Sequence, residues 1–364
     1  MRHGGDIYRN KVNMDLSVNL NPMGTPQAVT EAVENALKKA YVYPDIRQEE
    51  VRKSIAGFLG MESEYVYAGN GASELIQAVV RAEAPKKAVL FEPGFSGYEH
   101  ALKSVDCSIV RQRLKEENGF ALSREDLSIL DRDTDLVFVC DPINPSGRNI
   151  DDGVLEELYK LAEEYDITVC VDESFFLMSE KALKTPFSGF NEAVKKNNRL
   201  YVISSLTKIL AMPGIRMGYV MSSADNIEKL IGQLPEWNLS VTAEAGICAG
   251  LKILKSTDFV KESAEMTVRE RAYLSAEMKK LDIKVYESDT AFIMCKASEE
   301  LYEKLLENGV LIRDLGDADK AGGRYYRIAV ADHRTNESFI GILQNFSCKK
   351  APKKSKINMY GLRE

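Results

Sequence analysis

The segment richest in reactive groups is SSLTKILAMPGIRMGY, residues 204–219, which continues the apolar run LYVIS at 200–204. A lysine set just past a buried strand, among hydroxyls and eight residues before Arg216, is poorly accounted for by solvation. Desolvation and a neighbouring cation strip such an amine of its proton, and the neutral amine attacks carbonyl carbons to form a Schiff base. A second segment, TVCVDES at 168–174, brings Asp172 to the carboxyl end of an apolar run, the edge of an open α/β sheet where ligands bind. Asp172 and Lys208 are 36 residues apart, about one strand–helix–strand unit, so neighbouring strand ends can deliver both to one crevice. A third segment, GNGASELI at 69–76, is a glycine-rich turn opening a helix, whose free N–H groups suit a phosphate. Pyridoxal phosphate asks for this combination: an amine to capture its carbonyl, a carboxylate to keep its pyridine nitrogen protonated, and a seat for its phosphate.

Competing chemistries lack their parts. Glu74 stands where the third glycine of GxGxxG would be, and no GxxxxGK[ST] run exists, so neither nucleotide fingerprint is met. Ser205 and Lys208 form an SxxK spacing, but the SDN and KTG runs of acyl enzymes do not follow. The three histidines show no HExxH spacing and the six cysteines no CxxC spacing, so no metal is expected. With 48 Lys and Arg against 55 Asp and Glu, the net charge of −7 repels phosphate backbones and anionic membranes, so neither nucleic acid nor membrane is an expected partner. No apolar leader and no run near the ~18 apolar residues of a span is seen, which predicts a cytoplasmic protein.

These groups need a scaffold, and 364 residues suffice for two domains. Between about 45 and 235 the β-branched and aromatic runs YVYA, KAVLF, LVFVC, ITVCV and LYVIS alternate with helical patterns, which predicts a mostly parallel sheet covered by helices. VLEELYKLAEEY after Asp151 puts Leu155, Leu158, Leu161 and Ala162 on one helical face, and Thr25-Pro26 marks another helix start. After about 283 the order becomes KVY, TAFIMC, the helix SEELYEKLLENG, VLIR and YYRIAV, the pattern of a smaller α+β domain. The expected domains are 45–235, and 1–44 together with 236–364. The lysine-rich tail at 349–356 is expected to be a solvated end.

The ordered motifs HGG at His3, NLNPMG from Asn19, YPD from Tyr43, GNGASE from Gly69, EPGFSGY from Glu92, DPINPSG from Asp141, VDESF from Val171, SLTKILAMPGIRMGY from Ser205, VLIR from Val310 and YYRIAV from Tyr325 resemble, over nearly the whole chain, the class I/II aminotransferases of pyridoxal-phosphate fold type I. The resemblance implies that Lys208 carries the cofactor, Asp172 holds its pyridine nitrogen and Asn144 its ring oxygen O3′. It also implies a phosphate seat made by Gly71, Ala72 and Ser73 with Ser205 and Arg216, and Phe95 stacked on the ring. Tyr43 matches a tyrosine that reaches this phosphate from a second subunit, which implies a homodimer with its active site at the interface. His3, Asn21, Arg313 and Arg327 match substrate-binding positions, Arg327 for a carboxylate and Arg313 for a substrate phosphate. Arg324 is expected in solvent.

Within the superfamily the chain is most similar to the threonine-phosphate decarboxylases and next to the histidinol-phosphate aminotransferases. Phe175 in VDESF replaces the tyrosine usual in the aminotransferases, and the HGG arm is a decarboxylase-like feature. The resemblance therefore implies a phosphorylated amino acid or amine as substrate, with decarboxylation of L-threonine O-3-phosphate in cobamide biosynthesis first and transamination of histidinol phosphate second.

Overall fold

The structure is a computed structural model that describes residues 4–185, 189–317 and 323–347. His3 and the tail at 349–356 lie outside the described residues. In chain order the described strands are β1 (Met14–Asp15), β2 (Val66–Asn70), β3 (Lys87–Glu92), β4 (Ser108–Arg113), β5 (Leu136–Cys140), β6 (Thr168–Asp172) and β7 (Leu200–Ser205). They continue with β8 (Met217–Met221), β9 (Lys284–Val285), β10 (Phe292–Ala297), β11 (Val310–Leu311), β12 (Arg313–Asp317) and β13 (Arg324–Ala329).

A seven-stranded sheet runs in the order β2-β8-β7-β6-β5-β3-β4. From β4 to β7 all neighbours are parallel, while β8 runs antiparallel to both β7 and β2. The fold is α/β, a mixed and mostly parallel sheet covered by helices. Its central strands LVFVC and TVCVD are buried along their whole length, as parallel strands covered on both faces must be. Successive side chains point to opposite faces. Val137, Val139, Val169, Val171 and Val202 enter one core with Ile55 and Leu158. Phe138, Cys170, Tyr201 and Ile203 enter the other with Leu75, Val79 and Leu102. The helix Asp152–Tyr165 starts where Asp151 accepts a hydrogen bond from the Gly153 amide at 2.9 Å, an N-cap that satisfies one otherwise orphaned donor. Among the described residues no helix is long and apolar enough to cross a membrane.

A four-stranded antiparallel sheet, β12-β13-β10-β9, and the parallel pair β1-β11 cover a third core containing Leu16, Leu274, Ile293, Leu305, Tyr326, Ile328 and Phe339. VLIR, expected as one strand, is divided here. Val310 and Leu311 pair with β1, whereas Arg313 begins a strand paired with β13. Two strands of the seven-stranded sheet escape the apolar-run criterion, β4 because an edge strand carries mostly polar residues (SIVRQR), and β8 because MGYVM directly follows the reactive segment. We propose a large unit on the seven-stranded sheet and a small one on the four-stranded sheet. Their cores cross the expected limits at 45 and 235, since Val29 of the helix Gln27–Leu37 and Ala243, Ile247 and Leu251 of the helix Val241–Ser256 belong to a large-sheet core.

One carboxylate ties the two sheets together. Glu116, in the turn after β4, accepts hydrogen bonds from Lys284 at 2.6 Å, Tyr286 at 2.5 Å and Tyr325 at 2.8 Å. Phe120 packs edge-on against both tyrosine rings, with centroids 5.2 and 5.4 Å away. Lys284 first, then Tyr286, hold the Glu116 carboxyl down to about 2. A carboxyl whose folded-state value lies below its ordinary 4.5 stabilises the fold above pH 4.5, and that stabilisation is lost as pH falls towards 2. Glu116→Gln is therefore expected to lower the urea midpoint at pH 7, with the gap from wild type shrinking steadily as pH drops below 4.5; a gap independent of pH would show that the charge of Glu116 is not what joins the sheets.

Candidate active site

The register of the sheet assembles the site. Ser205 at the end of β7 pairs with Gly218 of β8, and Gly218 pairs with Gly69 of β2. Because β8 is antiparallel, the end of β7, the start of β8 and the end of β2 meet on one edge. Lys208, on the short helix Leu206–Ile209 after β7, thus shares that edge with Arg216, just before β8, and with Gly71 opening the helix Ala72–Glu83. Asp172 ends β6 and is paired with Cys140 of β5 and Ile203 of β7, and Asn144 follows β5. These strand ends surround a cavity of about 280 Å³.

Its wall contains Ala72, Ser73, Phe95, Asn144, Asp172, Ser205, Lys208, Arg216, Arg313 and Arg327, residues contributed by both sheets. Gly71 abuts this wall through Arg216. At Gly71 φ is +78°, and a Cβ there would lie 2.5 Å from the Arg216 guanidinium, so glycine alone lets the turn close over it. Gly218 is needed for the same reason, as its Cβ would lie 2.8 Å from the Ala72 amide nitrogen. Arg216 itself holds φ at 60°, a left-handed backbone that a non-glycine residue keeps only where its surroundings enforce it. The Ser205 and Thr207 hydroxyls are 2.6 Å apart beside it.

Four cations and a single carboxylate line this cavity among the described residues. Burial, followed by the charges of Arg327 and Arg216, lowers the Lys208 amine to about 8 against the pull of Asp172. Burial and then Arg313 lower the Arg327 guanidinium to about 9. Arg327 donates through Nη1 to Asn144 Oδ1 at 2.6 Å and through Nη2 to the Ser17 carbonyl at 2.9 Å, and lies over Phe292 at 5.5 Å. Arg313 and Arg327 are direct cross-strand partners in β12 and β13, an opposition of like charges that costs stability. Arg324 is drawn away instead, paired with Asp314 and Asp317 at 3.1 Å each.

Asn21 and Tyr43 are not in this wall; the site expected for Tyr43 is that of a second subunit. The Asn21 amide donates to the Ile209 carbonyl at 2.8 Å and accepts from the Met23 amide at 3.0 Å, bracing the N-terminal segment against the helix of Lys208. Tyr43 is 78% exposed, its ring tilted on Trp237 at 5.2 Å. His3 is undescribed, but Gly4 forms part of the wall. Asn19, two residues before Asn21, is the inward-facing residue of the pair. It is buried in the wall with neither amide atom hydrogen-bonded among the described residues, and the repeated Asn in NLN was the available signal.

Fold and site together define an α/β enzyme of the pyridoxal-phosphate fold type I class. The chain belongs to the aminotransferase class I and II family, whose model matches residues 11–341, and pyridoxal 5′-phosphate is its cofactor. It is 30% identical to the threonine-phosphate decarboxylase of Salmonella typhimurium, covering 93% of this chain and 92% of the relative. It is 27% identical to the histidinol-phosphate aminotransferase of Methanosphaera stadtmanae, covering 90% and 89%. The crystal structure of the histidinol-phosphate aminotransferase from Clostridium acetobutylicum superposes with a TM-score of 0.82 at 29% identity, covering 92% of this chain and 99% of that one. The residues present fit the cofactor: a glycine turn that no Cβ could occupy beside a guanidinium for its phosphate, an amine of lowered proton affinity, and a buried carboxylate.

The Lys208 charge penalty is measurable. Destabilisation by its ammonium is complete below pH 8 and fades as pH rises towards 10.5, where the amine is neutral in both states. Cofactor-free Lys208→Met is expected to be more stable than cofactor-free wild type at pH 7, by up to roughly 3 kcal/mol, and to lose that advantage above pH 8. Equal stability at pH 7 would contradict the buried-cation account.

Proposed function

We propose that the chain decarboxylates a phosphorylated amino acid, L-threonine O-3-phosphate, as a cytoplasmic homodimer. The observation that carries this reading is the cross-strand pair Arg313 and Arg327 in the wall of a cavity lined by four cations and one carboxylate among the described residues. Two arginines held face to face are stabilised by anions, and a substrate with both a carboxylate and a phosphate supplies one for each. The other two cations, Lys208 and Arg216, serve the cofactor.

Bound pyridoxal phosphate supplies an electron sink for the pair released at the substrate α-carbon. The amides of Gly71, Ala72 and Ser73, the Ser205 hydroxyl and Arg216 would hold the cofactor phosphate. Asp172 would hold the proton on the ring nitrogen, Asn144 would serve the ring oxygen, and Phe95 would pack on the ring. The Arg327 fork orients the departing carboxylate and Arg313 holds the phosphate, so that the Cα–carboxylate bond is the one presented for cleavage. Lys208, as its ammonium, would donate a proton from Nζ to the α-carbon in place of the departed carboxylate, leaving a neutral amine. Phe175, buried 5.8 Å from Lys208 Nζ, offers no hydroxyl beside that amine. The exposed apolar residues Tyr41, Val42, Tyr43, Ile46 and Trp237 support burial of this surface by a second copy.

Incubation with L-threonine O-3-phosphate is expected to release carbon dioxide and the amino-propanol phosphate with no 2-oxo acid present. Turnover that appears only with histidinol phosphate and 2-oxoglutarate would replace this reading with transamination. Arg313→Ala is expected to lower kcat/KM for the phosphorylated substrate roughly ten- to a hundredfold and to leave the slow reaction of the unphosphorylated analogue within about twofold; equal losses would make Arg313 structural.

A further inference from the structure

Tyr98 has no part in the site as described so far and does not line the cavity. It is buried, and its hydroxyl donates to Asp172 Oδ2 at 2.7 Å. The other carboxylate oxygen, Oδ1, accepts from the Ser174 amide at 2.9 Å. The carboxylate is thus held at both ends and cannot swivel, while each oxygen keeps a lone pair for the cavity side. The Tyr98 ring stacks nearly parallel on Phe138, with centroids 4.7 Å apart at 7°, and meets the edge of Phe95 at 5.3 Å and 83°. Phe95 and Tyr98 stand three residues apart at the start of the helix Ser96–Leu102, the spacing that puts side chains on one face. One buried ring therefore braces two residues of the cavity wall.

We propose that Tyr98 is a positioning residue of the cofactor site, whose hydroxyl fixes the direction of the Asp172 carboxylate so that it holds the proton on the pyridine nitrogen. The proposal rests on the reading of Asp172 as the partner of that nitrogen. A donor hydrogen bond stabilises the ionised carboxylate, and a neutral donor does so without cancelling the charge that the protonated ring needs. Burial first, and then the charge of Asp172, push the Tyr98 phenol well above its usual range, so it remains a donor throughout the working pH range. Without the hydroxyl, the carboxylate is free to turn, its hold on the ring-nitrogen proton weakens, and the ring is left a poorer acceptor of electrons.

The measurement is the ¹⁵N resonance of the ring nitrogen in holoenzyme reconstituted with ¹⁵N-labelled cofactor, compared among wild type, Tyr98→Phe and Asp172→Asn. Phenylalanine keeps both ring contacts and removes only the hydroxyl. Asp172→Asn is expected to abolish the protonated-nitrogen signal, and Tyr98→Phe to move it part of the way, with kcat about tenfold lower and KM within about twofold. A Tyr98→Phe resonance coincident with wild type, where Asp172→Asn has moved, overturns the role of Tyr98 and leaves that of Asp172 intact. An unmoved resonance in Asp172→Asn overturns the reading beneath it. Should Tyr98→Phe fail to fold, Phe138→Leu loosens the same ring while keeping the hydroxyl. It is expected to shift the resonance in the same direction by less, and no shift overturns the proposal.

Discussion

Lys208, Arg216, Arg313 and Arg327 converge on a crevice that offers them one carboxylate, and the repulsion among them must be held by the rest of the fold. Each cation comes from a backbone with little freedom: a short helix locked onto β7, a left-handed residue pinned before β8, and facing positions of two paired strands. The stability that permits this lies in the apolar cores on either side of the large sheet, where whole strands are buried. The lowered proton affinity of Lys208 is one consequence of the same field, and it leaves a reactive amine where an ordinary lysine would be a solvated ammonium.

The lone carboxylate is treated differently from the cations around it. Both hydrogen bonds to Asp172 come from neutral donors, the Tyr98 hydroxyl and the Ser174 amide. A salt bridge would have fixed it equally well and neutralised it. Neutral donors fix its direction and leave its charge available.

The sequence made Lys208, Asp172 and the Gly71 turn legible because each breaks a local rule: a lysine and an aspartate at the ends of apolar runs, and glycines where a helix begins. It made the parallel core legible because doubly covered strands are continuously apolar. Residues that obey local rules were invisible. Tyr98 sits in an amphipathic helix as any core tyrosine would, and Glu116 looks like a solvated turn residue until Lys284, Tyr286 and Tyr325 are brought to it from 168 or more positions away. Asn19 and Asn21 have the same type two residues apart, and the pattern does not say which one turns inward. The division of VLIR between two sheets likewise depends on partners far along the chain, β1 and β13.

The single reversal of direction at β8 also fixes which groups of the site are held as one unit. Lys208 and Arg216 belong to one short return of chain on the large sheet, so the two groups proposed to grip the cofactor would form a fixed jaw. Arg313 and Arg327 ride together on β12 and β13 of the other sheet, and the Glu116 contacts set the gap between the sheets. On the proposed function the site would act as a caliper: the distance from the reacting carbon to the far anion of a substrate would follow from how one sheet is docked on the other, so substrate length could be retuned at that joint without altering a residue assigned to the cofactor.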